Sequence, residues 1–382
     1  MRTVRYHVPT RIFFGSGIIA DLKTIIDKEI PSASSVYLVT DQGIKKSGIA
    51  DRVIRQLETV TVFDEIEQNP RQTTIDRAGK NIRNTGPDLV IGVGGGSVLD
   101  SAKAIALLAT NPGRIEDYEG RAKYVHSPLP VLAIPTTCGT GSEVTWVAVI
   151  THTERHFKMS IKGPEMYPAA AVVDPDSLST LPPHLVASTG LDAITHAIEA
   201  FSVKPSTFLT DLFARESLKL MFKSLPKAYA NIRDSAQVRE EVMKGSLLAG
   251  LSFGNADVGA VHCLAEAVGS ILDTPHGVAN AVFLPHVMDY NLSAAESRYA
   301  DIARMIGIDE LDDGRAASAL IRAVKDLAGS LGIPSLSEIG VRRDHFDDIA
   351  RKSFENNSNP SNPRDVSYDG YISILERAFA GG

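Results

Sequence analysis

The stretch from Leu89 to Leu108 constrains the fold most. Leu89-Val-Ile-Gly-Val93 is an uninterrupted apolar run of strand length, and it passes directly into Gly94-Gly95-Gly96-Ser97. The following residues, to Leu108, have the composition of a strong helix. A strand apolar on both faces and continued by a helix is half of a βαβ unit, which belongs in a parallel sheet covered on both sides. Similar short runs occur at Arg11-Ile-Phe-Phe14, Val36-Tyr-Leu-Val39, Val60-Thr-Val-Phe63 and Val131-Leu-Ala-Ile134. Helical spacing over 18–28, 48–57 and 73–84 separates most of them. The alternation predicts an α/β N-terminal domain with a Rossmann-like parallel sheet.

The pattern changes after Leu181-Pro182-Pro183. From there the periodicity predicts helices over 186–201, 210–230, 236–251, 261–271, 278–290, 294–306, 315–331, 345–354 and 368–380. We place a domain boundary at residue 183, with an α/β domain over 1–183 and an all-α C-terminal domain over 184–382. The net charge is −7, and no basic block stands out, so a nucleic-acid or anionic-membrane surface is not expected. No apolar run reaches the length of a bilayer span, and the N-terminal residues lack the pattern of a secretory leader. Cys138 and Cys263 form neither a CxxC pair nor a disulfide framework, which points to a reducing cytoplasm.

Glycines between a buried strand and a helix N-terminus make an anion site, because backbone N–H groups are free there and the helix dipole favours negative charge. Gly94, Gly95, Gly96 and Ser97 are candidates to hold a phosphate. The run is not a full GxGxxG, since Ser97 takes the place of the third glycine, and taken alone it also reads as a tight turn. A second loop, Pro135-Thr136-Thr137-Cys138-Gly139-Thr140-Gly141-Ser142-Glu143, also follows a buried strand and offers hydroxyls suited to a ribose or phosphate. Two such loops at strand ends suggest one dinucleotide crevice. Asp41, just past the Val36–Val39 strand, either caps the next helix or accepts from a ribose 2′-OH. In the second case it repels a 2′-phosphate and favours NAD over NADP.

Asp192 and His196 stand four residues apart in a helix-favouring segment, so carboxylate and imidazole share one helix face. His262 opens an Ala- and Leu-rich helix, and His276 lies in a loop before another. One oxygen and three imidazole nitrogens suit a four-coordinate Fe(II) or Zn(II) and argue against calcium or magnesium. Each histidine by itself reads more often as a core or capping residue than as a ligand. His7, His126, His152, His156, His184, His286 and His345 have weaker contexts.

Three motifs together resemble the iron-dependent (group III) alcohol dehydrogenases: Gly94-Gly-Gly-Ser-Val-Leu-Asp100-Ser-Ala-Lys103, Pro135-Thr-Thr-Cys-Gly-Thr-Gly-Ser-Glu-Val-Thr145, and Gly190-Leu-Asp-Ala-Ile-Thr-His196 combined with Val261-His262 and Pro275-His-Gly-Val-Ala-Asn280. The resemblance spans nearly the whole chain. It implies a dehydroquinate synthase-like architecture, with the active site in a cleft between a nucleotide-binding domain and a helical domain. It implies that Asp192, His196, His262 and His276 hold the metal, and that Asp41, Asn69, Gly94, Gly95, Gly96, Ser97, Asp100, Thr136, Thr137, Thr140, Thr145 and Lys158 surround NAD. The implied reaction is reversible hydride transfer between a small alcohol and its aldehyde or ketone, in a homodimer or larger homo-oligomer. Many members carry a second histidine four residues after the position of His262; here it is Glu266, a candidate acidic proton relay. Trp146 and Val147 also depart from diol-acting members, and the indole is expected to reshape the pocket. Glycerol or hydroxyacid dehydrogenases and maleylacetate reductases on the same scaffold are the rival enzymes. A non-catalytic NAD- or metal-binding module is the reading from a different class.

Overall fold

The computed structural model describes residues 3–381. The chain separates into two units, one formed by Val8–Leu181 with Ile232–Met243, the other by Pro182–Asn231 and 244–381 with residues 3–7.

The first unit carries β1 (Arg11–Phe14), α1 (Leu22–Glu29), β2 (Val36–Val39), α2 (Gln42–Ser47), α3 (Ile49–Ile54), β3 (Val60–Phe63), α4 (Gln72–Thr85), β4 (Leu89–Gly94), α5 (Gly96–Thr110), β5 (Gly120–Arg121), β6 (Val131–Pro135), β7 (Val147–His152), β8 (Phe157–Lys162) and β9 (Ala170–Val173). Six strands form one sheet in the order β1-β9-β6-β4-β2-β3, and its pairs are parallel. Alternation of side chains explains the unbroken apolar runs. Val36 and Leu38 enter the core on one face with Leu89, Ile91 and Val93, while Tyr37 and Val39 enter the core on the other face with Val90.

The chain places β3 on one side of β2 and β4 on the other, so the strand order reverses between β2 and β4. Such a switch point opens a crevice at the carboxyl ends of the two strands. The register Val39↔Gly92 brings Thr40-Asp41 beside Val93-Gly94 there, and the Thr40 hydroxyl donates to the Val93 carbonyl at 2.8 Å.

A second sheet, β5-β8-β7, departs from the sequence expectation. β7 and β8 pair antiparallel through a turn at 153–156. Lys158, buried, and Lys162, half-buried, hide β8 from a hydropathy reading, because lysines within a strand break the apolar pattern. β9 is only four residues long and half alanine, which is weak strand composition. The helix expected over 48–57 is the shorter α3, and a further short helix, α2, precedes it and meets it at Gly48, whose φ is +79°.

The second unit contains α6 (Pro183–Ser202), α7 (Phe208–Asn231), most of α8 (Ala236–Ala256), α9 (Ala260–Leu272), α10 (His276–Met305), α11 (Asp313–Ser330), α12 (Phe346–Glu355) and α13 (Tyr368–Ala380). The two helices expected over 278–290 and 294–306 are one 30-residue helix, α10. Asn291 resembles a loop residue in sequence but is buried mid-helix, where its amide exchanges hydrogen bonds with Asn362 at 3.0 and 2.7 Å. Among the described residues no single helix is long and apolar enough to cross a membrane.

Candidate active site

Asp192, His196 and Glu199 occupy positions i, i+4 and i+7 of α6 and share one face of it. Apolar neighbours such as Leu191, Ile194 and Ile198 seat the helix in the core, so the polar face is buried with it. One ligand atom each from Asp192, His196 and His262 lies within 4.8 Å of the other two. His276 joins them, with Nε2 3.9 Å from Asp192 Oδ1. It is the first residue of α10 rather than a loop residue, because Pro275 caps the helix and starts it two positions earlier than expected. Gly277 lets this helix end close onto α6: a Cβ there would stand 2.3 Å from the Ser188 carbonyl oxygen.

The environment selects for a cation. Glu199 takes His262 Nδ1 at 2.5 Å through Oε2 and the Val261 N–H at 2.8 Å through Oε1. A carboxylate behind an imidazole fixes the ring and its tautomer and leaves Nε2 as the ligand atom. Burial opposes charge on His262, but Glu199, then Asp192 and Glu266, outweigh it and hold its pKa above the usual histidine value. Asp192, His196 and His262 have side chains at most 5% exposed, whereas His276 is 33% exposed, so the cluster is reached from the His276 side. Converging carboxylate and imidazole donors fit a borderline divalent metal.

In the α/β unit, Gly95, Gly96 and Ser97 are the half-buried break in an otherwise buried strand–helix junction. Gly95 caps α5 with no side-chain hydrogen bond, which leaves the helix N-terminus open to an anion. A Cβ on Gly96 would lie 2.5 Å from Thr140 Cγ2, so the two predicted loops touch and only glycine fits between them. The Thr136 hydroxyl is buried with no partner, a polar group that a bound nucleotide would satisfy.

Residues 9–175 match the family model of the iron-containing alcohol dehydrogenases, and residues 186–379 match the C-terminal model of the same family. The chain is 36% identical to alcohol dehydrogenase 4 of Saccharomyces cerevisiae over 98% of both chains. It superposes on crystalline 1,3-propanediol oxidoreductase with a TM-score of 0.94 and 36% identity, covering 99% of this chain and 100% of the other. The sulfoacetaldehyde reductase of Bifidobacterium kashiwanohense, solved with NAD+, gives a TM-score of 0.90 and 30% identity over the whole of both chains.

The chain belongs to the iron-containing alcohol dehydrogenase family.

It is an oxidoreductase of NAD-linked alcohol and aldehyde chemistry. Within this alcohol dehydrogenase several of the residues expected around NAD have partners in the protein itself. Asp41 does cap α2, its Oδ1 accepting from the Ile44 N–H at 2.9 Å. Asn69 sits at φ +55° and accepts from Lys158 Nζ at 2.6 Å, both residues being buried. Asp100 has both carboxylate oxygens engaged by the protein, by Ser142 Oγ at 2.5 Å and by the Val149 N–H at 2.9 Å, and so ties α5 to the threonine loop and β7. Thr137 packs against Gly95 and Thr140 against Gly96, while the buried Thr145 hydroxyl donates to the Ser142 carbonyl at 3.4 Å. Trp146 is half-buried under the Arg121 guanidinium, 4.9 Å from its ring centroid. Glu266 is half-buried and accepts from Asn356 Nδ2 at 2.7 Å.

Sequence reasoning passed over Glu199, Phe253 and Asn280. Glu199 extended the Asp192–His196 face by one turn, a readable signal. Phe253 stacks on His196 with ring centroids 4.0 Å apart, a pairing between distant helices that spacing does not reveal. Glu143, also passed over, is buried beside the threonine loop, and burial pushes its carboxyl up to about 7 despite its own backbone hydrogen bond and Lys103. The folded state therefore holds a proton that the unfolded chain releases above its ordinary value near 4.5. Stability then falls as pH rises from about 4.5 to about 7 and levels off above, by up to about 3 kcal/mol. Urea unfolding across this range should show that fall, and Glu143→Gln should flatten it. Parallel curves for the two proteins would rule out this assignment.

Proposed function

We propose that Asp192, His196, His262 and His276 hold one divalent metal, with Fe(II) ahead of Zn(II), and that NAD lies along Asp41, Asn69, Gly94, Gly95, Gly96, Ser97, Thr136, Thr137, Thr140, Thr145 and Lys158. The observation that carries this reading is the buried convergence of carboxylate and imidazole atoms with Glu199 locking His262. The family's iron and an oxygen–nitrogen donor set without thiolate support iron. When bound, the metal supplies Lewis acidity to the alcohol or carbonyl oxygen, and NAD exchanges the hydride. The protein's part is to orient. Glu199 fixes the His262 ring, the α5 N-terminus and glycine loop seat the pyrophosphate, and the threonine hydroxyls engage the sugar and phosphates. Asp41 Oδ1 serves the helix cap, and Oδ2 is the atom proposed to meet the ribose 2′-OH, which disfavours a 2′-phosphate.

The substrate is a small primary or secondary alcohol, or its aldehyde or ketone, entering beside the half-buried His276. Oxidation of NADH by a panel of short aldehydes, in protein reconstituted with Fe(II) or Zn(II), tests the reading. The expected result is turnover that needs metal and favours NADH over NADPH by at least about tenfold, the scale of one lost hydrogen bond plus charge repulsion. Metal-independent turnover, or equal use of NADPH, would count against it. Glu266 is proposed as a proton relay beside the site. Glu266→Gln should lower the rate several-fold and shift the pH–rate profile; if both are unchanged, the relay role is wrong. The two cysteines, buried and not joined in a disulfide, support a reducing cytoplasm, and the family resemblance supports a homo-oligomer.

A further inference from the structure

Asn280 lies one turn beyond His276 on α10 and is completely buried. Its Nδ2 is 2.6 Å from Asp192 Oδ1, 3.1 Å from His276 Nε2 and 3.2 Å from His262 Nε2. One amide nitrogen thus meets proposed ligand atoms from three helices: α6, α9 and α10. The chemistry fixes which way the amide faces. Asp192 presents a carboxylate oxygen 2.6 Å from it. A carboxylate calls for a donor, and only the NH2 side of the amide donates.

The other side of the amide is unserved. Asn280 Oδ1 is buried with no hydrogen-bond partner. A buried carbonyl left unpaired is costly, and native proteins retain few of them. Several apolar residues would fill the volume without that cost, so the amide is held for what its nitrogen does.

We propose that Asn280 is a positioning residue for the metal, its amide N–H aiming the Asp192 carboxylate at the point where the His262 and His276 nitrogens converge. The inference rests on the reading of these residues as metal ligands. Asn280 needs no contact with substrate or NAD. The short bond to Asp192 restricts the carboxylate to the rotamer that faces the imidazoles. The ligands are then gathered before the ion arrives, and less ordering is left to oppose binding.

The test is metal binding by the full-length protein, read apart from turnover. Metal-free wild type, Asn280→Ala and Asn280→Ser are titrated with Zn(II) against a chromogenic chelator, and their Co(II) derivatives are compared by visible absorption. Outer-shell partners of metal ligands typically carry about 10- to 100-fold in affinity. The expectation is a loss of that size for Asn280→Ala, a smaller loss for Asn280→Ser, which keeps one donor, and a shifted Co(II) ligand-field band in both. A merely structural role would lower the melting temperature without moving the Co(II) band. Affinity within twofold of wild type and an unchanged band in either variant that folds would overturn the inference. If neither variant folds, Asn280 is structural and the inference falls. Failure of wild type itself to bind Zn(II) or Co(II) would instead overturn the assignment of the ligands.

Discussion

Replacing His262 with alanine is expected to cost the protein its metal and at least about 10³-fold in kcat/KM, since Lewis-acid stabilisation of the transition state amounts to several kcal/mol. The loss has two sources. One imidazole is removed from a donor set of four, and Glu199 is left as a buried carboxylate facing a cavity. Metal analysis after desalting separates the first source from the second. The variant should retain far less than one equivalent under conditions where wild type retains about one. Far-UV circular dichroism should stay helical, because Val261 N–H still holds Glu199 at the start of α9. A His262→Ala protein that keeps full metal content and activity would remove this histidine from the site.

The second large effect is expected in the α/β unit. Lys103 is 1% exposed, and its Nζ reaches the Ser142 carbonyl at 3.1 Å, the Thr145 carbonyl at 3.5 Å, the Val147 carbonyl, and Asp100 Oδ1 at 3.1 Å. Burial depresses its pKa more strongly than Asp100 and Glu143 raise it. The lysine stitches α5 to the loop that bears Thr136, Thr137 and Thr140. Lys103→Met keeps the length of the side chain but leaves Asp100 and the carbonyls without their cation. Breaking a buried pair from one side typically costs about 3–5 kcal/mol. Urea unfolding should show that loss, and KM for NADH should rise as the loop loosens. A change below about 1 kcal/mol with an unaltered KM would show that water or a rearranged loop replaces the ammonium.

Much of this was legible in the sequence because of periodicity. The parallel sheet could be read from β2, β4 and β6, whose residues are apolar on both faces. The helical unit could be read from 3.6-residue spacing. Asp192 and His196, four apart, suggested half of the proposed metal site, His262 and His276 were candidates to complete it, and the family motifs joined the four. What stayed hidden depends on contacts between segments far apart in the chain. Lys158 looks like a surface lysine until Asn69, 89 residues away, is seen to hold it. Asn291 looks like a break in a helix until Asn362 satisfies it. Asn280 shows locally only its i, i+4 spacing from His276, because its contacts with Asp192 and His262 come from two other helices. Glu199 was the avoidable omission, since it lay at the next position on a face already in view.

Glu199 has one more consequence. The same carboxylate grips the backbone at the first turn of α9 and the imidazole proposed to face the ion, so on that reading helix integrity and ion occupancy are thermodynamically linked. An ion that binds only the folded chain adds about 2.7 kcal/mol to stability when present at a hundredfold excess over its dissociation constant. By reciprocity, whatever frays the start of α9 releases the ion. The heat tolerance of this alcohol dehydrogenase should therefore follow the concentration of its metal, and a thermal melt would serve as a metal assay.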